Sequence, residues 1–346
     1  YVSSVDFRPE RQEFANTVFI LVKMKKRVIL NGASALIFLI CFAILASSKQ
    51  GLRKQDTRSS GPRKKFVGNY RSCDEARNSL SHTLERIGSS GLKLDPFPHL
   101  IVDQVFTDIY YEHIMRNIIN ATESRLFKKR GPLKPRYSLS LDNSTDQLRR
   151  AKTIELKEKI SFWKCHYQIF EADEFTEQIM NSFSSVLRKR LGRDYFSKQF
   201  SAQKSLKNGP LFFQKINLVQ DRDKYFISPH TDVAEKVITM LFYVAPIANE
   251  DRLRDAGTLL LKPISQKTNN KDVCDLNSFR RICKYVKFQG KYYSFKQCEF
   301  KPNRLIAFAP CHSAWHGVPL QNLGGSPRNT IQSFIGSTST FPLGKC

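Results

Sequence analysis

Hydrophobic and polar positions change their period several times along the 346-residue chain. From Val28 to Ala46 the run VILNGASALIFLICFAILA carries no charge. It is long enough to span a bilayer, for which about 17–25 residues suffice. It also exceeds the roughly 7–15 residues of a signal-peptide core. A single uncleaved membrane anchor is therefore expected over residues 28–46, with cleavage near Ala46-Ser47-Ser48 as the other reading. An N-terminal tail, residues 1–27, precedes it, and within that tail Met24 resembles a natural start. Residues 47–94 read as a basic, Ser/Gly-rich stem ending in a short helical segment over 70–92. Asp95-Pro-Phe-Pro98 breaks that helix. Between Asp103 and Asn120, Val105, Phe106, Ile109, Tyr110 and Ile114 recur at helical spacing. Residues 127–150 read as loop. A further helix is expected from Thr176 to Leu191, with Phe175, Ile179, Phe183 and Val186 as its apolar stripe. Together, residues 95–210 form a helical support region.

After Leu211 the period shortens to that of strands. Eight β-rich runs alternate with turn signals: Phe212–Val219, Tyr225–Ser228, Val237–Val244, Thr258–Leu261, Tyr285–Phe288, Tyr292–Phe295, Leu305–Phe308 and Thr330–Ile335. Short strands with little helix between them predict a sandwich or jelly roll over 211–346, not a parallel α/β sheet. The fold class is thus mainly β (α+β), with helices in front of the β core. There is no internal repeat, P-loop or G-x-G-x-x-G.

Composition adds a compartment and a charge. Hydrophobic content of 41% and aromatic content of 12% suit a packed core. The formal charge is +25, and only part of it sits in the first 65 residues, with 13 Lys/Arg against 4 Asp/Glu. Such a surface attracts anionic partners. No nucleic-acid-binding motif accompanies it, so nucleic acid is not an expected partner. Basic residues flank the apolar run on both sides, so charge counting leaves its topology open. The sequons Asn120-Ala-Thr and Asn143-Ser-Thr do not decide between compartments. The eight cysteines include no C-x-x-C pair, which argues against a structural zinc site. Disulfides are one reading, above all among Cys274, Cys283 and Cys298.

The candidate chemistry centres on Pro229-His230-Thr231-Asp232. On extended backbone, side chains two residues apart share a face. An imidazole and a carboxylate so placed make two corners of a 2-His-1-carboxylate Fe(II) site. The third ligand should lie on a late strand folded beside the first. His312 and His316 are the candidates, and Gly317, which permits close backbone approach, favours His316. Further on, Arg328 and Thr330 share a strand face. An inward Arg in a β core requires an anionic partner, and a planar guanidinium suits a carboxylate held in a bidentate grip; the other reading is an Arg–Asp/Glu pair at the surface.

Taken in order, Pro229-His-Thr-Asp232, Lys236–Tyr243, Gly257-Thr-Leu-Leu, Pro302–Phe308, Trp315-His-Gly-Val318 and Arg328-Asn-Thr330 resemble the Fe(II)/2-oxoglutarate-dependent dioxygenases. The resemblance is to their prolyl-4-hydroxylase-like branch and covers about residues 95 to 340. It implies a double-stranded β-helix in which His230, Asp232 and His316 bind Fe(II). Arg328, supported by Thr330, would bind the distal carboxylate of 2-oxoglutarate, and Tyr243 matches a tyrosine that hydrogen-bonds the same carboxylate. It further implies O₂ as oxidant, ascorbate as reductant, and hydroxylation of a C–H bond with release of succinate and CO₂. The substrate, whether a prolyl or other protein side chain, a glycan or a small molecule, stays open. Asp232 argues against a halogenase. The long interval from Asp232 to His316 implies that residues 247–302 contain an inserted, cysteine-bearing loop. A membrane-tethered enzyme facing the endoplasmic reticulum or Golgi lumen is expected, with a cytosol-facing one as the alternative. The competing class is a non-catalytic jelly-roll binding module.

Overall fold

The computed structural model describes residues 71–122, 124–129, 135–142, 144–192, 212–265, 273–276, 283–338 and 343–344. The expected tail, the anchor over 28–46 and most of the stem lie outside the described residues. Among the described residues, no helix is long and apolar enough to cross a membrane.

Helix α1 (Arg71–Ser89) is followed by β1 (His99–Asp103), α2 (Asp108–Arg116), β2 (Lys128–Lys129) and β3 (Arg136–Ser140). Four helices come next: α3 (Ser144–Arg150), α4 (Ile154–Phe170), α5 (Asp173–Ser182) and α6 (Ser184–Leu191). The β region then runs β4 (Phe212–Asp221), β5 (Ile227–His230), β6 (Lys236–Val244), a short α7 (Glu250–Leu253), β7 (Thr258–Ile264) and β8 (Val273–Asp275). It closes with β9 (Tyr285–Phe288), β10 (Lys291–Cys298), β11 (Arg304–Phe308), β12 (Trp315–Val318) and β13 (Arg328–Ser337).

The strands form two sheets, ordered β1-β11-β6-β13-β4-β3-β2 and β5-β12-β7-β10-β9-β8. Strands β4, β6, β11 and β13 lie in the first; β5, β7, β10 and β12 lie in the second. The chain therefore passes back and forth between two facing sheets, which is jelly-roll connectivity. All pairings are antiparallel except β8 with β9.

Strand β6 shows why the sequence folds this way. Apart from Thr239, its run Val237–Val244 is apolar without alternation, as a strand covered on both faces must be, and every residue of that run is buried. Ile238, Met240 and Phe242 join the core against the helices. There Phe242 stacks on Phe106 with ring centroids 5.3 Å apart. Leu241 and Tyr243 face the opposite way, into the space between the sheets. Helix α4 packs Phe162, Trp163, His166 and Phe170 into the helical core.

The interval 247–302 holds the strands expected at Thr258–Leu261, Tyr285–Phe288 and Tyr292–Phe295, which are β7, β9 and β10. Strands β7 and β10 are jelly-roll strands, and β8 and β9 extend the second sheet beyond them. The expected loop over 127–150 is corrected: it is interrupted by β2, β3 and α3, and the helix expected over Thr176–Leu191 is two helices, α5 and α6. Cys274 bonds Cys283, while Cys298 is a buried free thiol. Cys73 bonds Cys165, tying α1 to α4 across a sequence separation of 92; chain-entropy arguments put such a closure at roughly 4–5 kcal/mol. Cys311 is also disulfide-bonded.

His166 gives the fold a testable pH dependence. It is fully buried among Phe106, Tyr110, Trp163 and Phe170 and shares a 2.8 Å hydrogen bond with the Tyr110 hydroxyl. Burial pushes its pKa down to about 3. Below the ordinary value of 6.5 the unfolded chain takes up a proton that the folded chain refuses. Stability should thus fall as pH drops from 6.5 toward about 3. Urea melts at pH 7 and pH 5 check this, and His166→Leu should flatten the dependence.

Candidate metal centre

His230 ends β5, and the pairing of β5 with β12 sets His316 directly opposite it. The two ring centroids are 4.2 Å apart. Gly317 is what allows this approach: a Cβ there would stand 2.8 Å from the Ile227 carbonyl oxygen, so a side chain would push β5 and β12 apart. Asp232 follows His230 at the expected two-residue interval. One ligand atom each from His230, Asp232 and His316 lie within 4.8 Å of one another. His312 is exposed and stands outside this group.

The local hydrogen bonds fix what each ligand presents. Nδ1 of His230 lies 2.9 Å from the Ser228 carbonyl, and Nδ1 of His316 lies 3.1 Å from the Ala314 carbonyl. A carbonyl only accepts, so each Nδ1 carries the proton and each Nε2 is left with its lone pair. Burial holds both imidazoles below the usual histidine range, and His316, further opposed by His230, is pushed down to about 4. Burial would raise Asp232, but the Lys236 ammonium, His316 and two hydrogen bonds together hold it well below the usual carboxylate range. Those bonds come from Lys236 Nζ and Thr239 Oγ1, each at 2.6 Å. At neutral pH the group is two neutral imidazoles and one carboxylate.

Arg190 on α6 joins the two ligand-bearing segments. Its guanidinium donates to the carbonyls of Ala234 at 2.6 Å and Lys236 at 2.8 Å, just past Asp232, and to that of Pro310 at 3.1 Å, ahead of His316. Losing it should leave the strands intact but loosen the spacing of the triad. Arg190→Ala is expected to weaken Mn(II) binding about 10–100-fold, the usual cost of a lost outer-shell support. Arg190→Lys should recover only part of this, because a single ammonium cannot span three carbonyls. Calorimetric titration with Mn(II), beside a circular dichroism spectrum, checks both.

A second polar group lies elsewhere between the sheets. Thr330 and Tyr243 are cross-strand partners of β13 and β6. Arg328 is 1% exposed and sits over the Tyr243 and Phe300 rings, at 5.5 and 5.3 Å from their centroids. Its Nη1 donates to Asp221 at 2.7 Å and its Nε to the Ala256 carbonyl at 2.6 Å. Asp221, itself 0% exposed, also accepts from Nε and Nη2 of Arg136 at 2.7 and 3.2 Å. Two guanidinium groups thus share one buried carboxylate. The Tyr243 hydroxyl is engaged with Thr258: it donates to Oγ1 at 2.8 Å and accepts from the backbone N–H at 2.9 Å. Thr330 Oγ1 is buried without a hydrogen-bond partner. Asp221, Lys236, Thr239 and Arg190 were not singled out in the sequence. Each acts through a contact that the sequence does not display.

No family model and no curated protein matches the sequence. The structure is similar to a prolyl hydroxylase from Trichoplax adhaerens in complex with a hypoxia inducible factor peptide fragment, at 11% identity and a TM-score of 0.38, covering 78% of this chain and 93% of that one. It is similar to a Pseudomonas putida prolyl-4-hydroxylase at 9% identity and 0.38, covering 75% and 100%. It also resembles a 2OG-Fe(II) oxygenase family oxidoreductase from Burkholderia pseudomallei at 10% identity and 0.36, covering 77% and 94%.

Proposed function

We propose that the protein is an Fe(II)- and 2-oxoglutarate-dependent dioxygenase that hydroxylates a C–H bond. The observation that carries this is the convergence of His230, Asp232 and His316 between two jelly-roll strands, with both Nε2 lone pairs available. Two imidazoles and one carboxylate are the donor set of non-haem iron sites that keep open positions. The residues present also fit 2-oxoglutarate. Two arginines against one aspartate leave an uncompensated buried positive charge, and Thr330 Oγ1 is an orphaned polar atom beside it. A carboxylate received there by Arg328 and Thr330 would satisfy both. Tyr243 packs its ring against Arg328 and is held in place through Thr258.

Bound together, iron and 2-oxoglutarate would supply the activation of O₂ and the oxidation of a C–H bond, with succinate and CO₂ released. The chain's own residues do the rest. Thr239 and Lys236 hold the Asp232 carboxylate charged and oriented. Ser228 and Ala314 fix the two imidazole tautomers. Phe308, with its ring centroid 4.6 Å from that of His316, and Leu260 and Ile306 keep water from the interior side of the site. Ascorbate would serve to return oxidised iron to Fe(II). The apolar run at 28–46 would tether the enzyme in a membrane, with the catalytic part facing the lumen.

The test is release of labelled CO₂ from 2-oxo[1-¹⁴C]glutarate by the purified protein with Fe(II) and ascorbate. Turnover that stops on omission of Fe(II) is expected. Absence of turnover together with absence of Mn(II) binding would leave a jelly-roll binding module instead.

A further inference from the structure

The second sheet does not stop at the barrel. Strands β7 and β10 run on past it, and their register shows what they carry beside the triad. Lys296 pairs with Leu260, Leu260 with His316, and His316 with His230. These four therefore form one cross-strand row on one face of the sheet. With strands about 4.8 Å apart, β10 lies about 10 Å from β12 at that row. The next row on the same face holds Lys262, Ser294 and Tyr285. Leu259, Leu261 and Tyr293 point the other way, into a separate apolar cluster. Lys262 and Lys296 are exposed.

Lys93 joins them from the turn that precedes β1. Lys93 and Lys296 both act electrostatically on His99 and on Cys298, so their ammonium groups surround one spot. Asp95 is the acidic side chain found here, 3.9 Å from Lys262 and largely in solvent. Among the described residues, Lys93 and Lys296 make no ion pair. Two exposed apolar side chains adjoin these groups along the chain: Leu94, 68% exposed, between Lys93 and Asp95, and Val233, 58% exposed, next to Asp232.

We propose that this face, formed by Lys93, Lys262 and Lys296 with Leu94 and Val233, is where the substrate docks, and that the substrate is an acidic, extended polypeptide segment. The proposal rests on the dioxygenase reading and names the class of its substrate. Rows along β7 and β10 repeat every two residues, about 6.7 Å, which is the repeat of like-facing side chains in an extended peptide. Carboxylates at alternate positions would meet successive lysines, while intervening apolar side chains meet Leu94 and Val233. A nucleic-acid strand would need open aromatic faces to stack on. Tyr293 is buried near Trp315, and Lys287 Nζ covers Tyr292 at 5.5 Å from the ring centroid.

Fluorescence anisotropy on the full chain loaded with Mn(II) tests this. The probes are a labelled Glu-Ala repeat decamer, the matching Gln-Ala decamer and a labelled oligothymidine. The Glu-Ala peptide should bind at least about tenfold tighter than the Gln-Ala peptide, with affinity falling as salt rises. The double variant Lys262→Glu/Lys296→Glu should lose about tenfold of that binding while its Mn(II) affinity and thermal midpoint stay unchanged. Equal binding of the two peptides, undiminished binding by the double variant, or a preference for oligothymidine would each overturn the proposal. Failure of the dioxygenase reading would show separately, as loss of 2-oxoglutarate turnover in the parent protein whatever the peptides do.

Discussion

Asp232→Ala is expected to abolish stoichiometric Mn(II) binding and to lower 2-oxoglutarate turnover by at least about a thousandfold, more than the 10–100-fold that loss of an outer-shell partner costs. Asp232 is the one anionic donor of the triad, and no other carboxylate stands within reach of both histidines among the described residues. Its removal leaves two neutral imidazoles, a poor site for a hard divalent ion. It also frees Lys236, which is partly exposed and can turn to water. The fold should therefore survive, so loss of function can be separated from loss of structure by the thermal midpoint. Asp232→Asn, which keeps the shape and one acceptor but not the charge, should fail nearly as badly. Thr239→Val removes a single 2.6 Å hydrogen bond to the same carboxylate. It should weaken Mn(II) binding by about tenfold. Turnover by Asp232→Ala at more than about a tenth of the parent rate would contradict this account of the site.

Asp221→Ala should be the most destabilising single change in the barrel, by about 3–5 kcal/mol, because removing one partner leaves buried charge uncompensated. Here two charges are stranded at once: Arg328, 1% exposed in its side chain, and Arg136, 12% exposed. Arg136 is nearer the surface and rests on the Tyr225 ring, 4.5 Å from its centroid, so Arg136→Ala should cost less. The order of urea midpoints, parent highest, Arg136→Ala next and Asp221→Ala lowest, checks the arrangement. Equal midpoints for Asp221→Ala and the parent would mean that the network is not formed. If 2-oxoglutarate binds at Arg328, added 2-oxoglutarate should restore part of the lost stability of Asp221→Ala, since its carboxylate can stand in for the missing aspartate.

Much of the β core was legible because its signals are local. The nearly unbroken apolar run of β6 and the alternation in β4 and β13 fix strand positions to within a few residues. Strand β12 was expected from the need for a third ligand but was not legible from its own residue pattern. Trp315–Val318 is four residues long and includes Gly317, and it is extended because β5 and β7 pair with it on either side. Helix α4 escaped for a different reason: His166 and several charged residues interrupt its apolar positions, and its burial is explained only by the aromatic cluster around it. His230 and Asp232 were legible from their two-residue spacing, although β5 ends at His230 and Asp232 lies just beyond it. The choice of His316 over His312 was legible only through Gly317, whose missing Cβ the structure accounts for.

The partners of the polar residues were least legible. An inward Arg328 implied an anion, and the structure supplies Asp221 from β4, 107 residues earlier. A lone Asp at a strand end gives no sign of such a role. Arg190 likewise reads as one of the basic residues in the last turn of α6 until the three carbonyls it binds are seen. Sequence displays periodicity within an element, whereas these contacts depend on how separate elements are brought together.

The most direct measurement is anomalous diffraction from crystals of the protein grown with Mn(II) and 2-oxoglutarate under anaerobic conditions. One peak is predicted, about 2–2.3 Å from Nε2 of His230, a carboxylate oxygen of Asp232 and Nε2 of His316, with 2-oxoglutarate density leading from it to Arg328 and Thr330. A metal bound elsewhere, or an empty triad in protein saturated with Mn(II), would contradict the account.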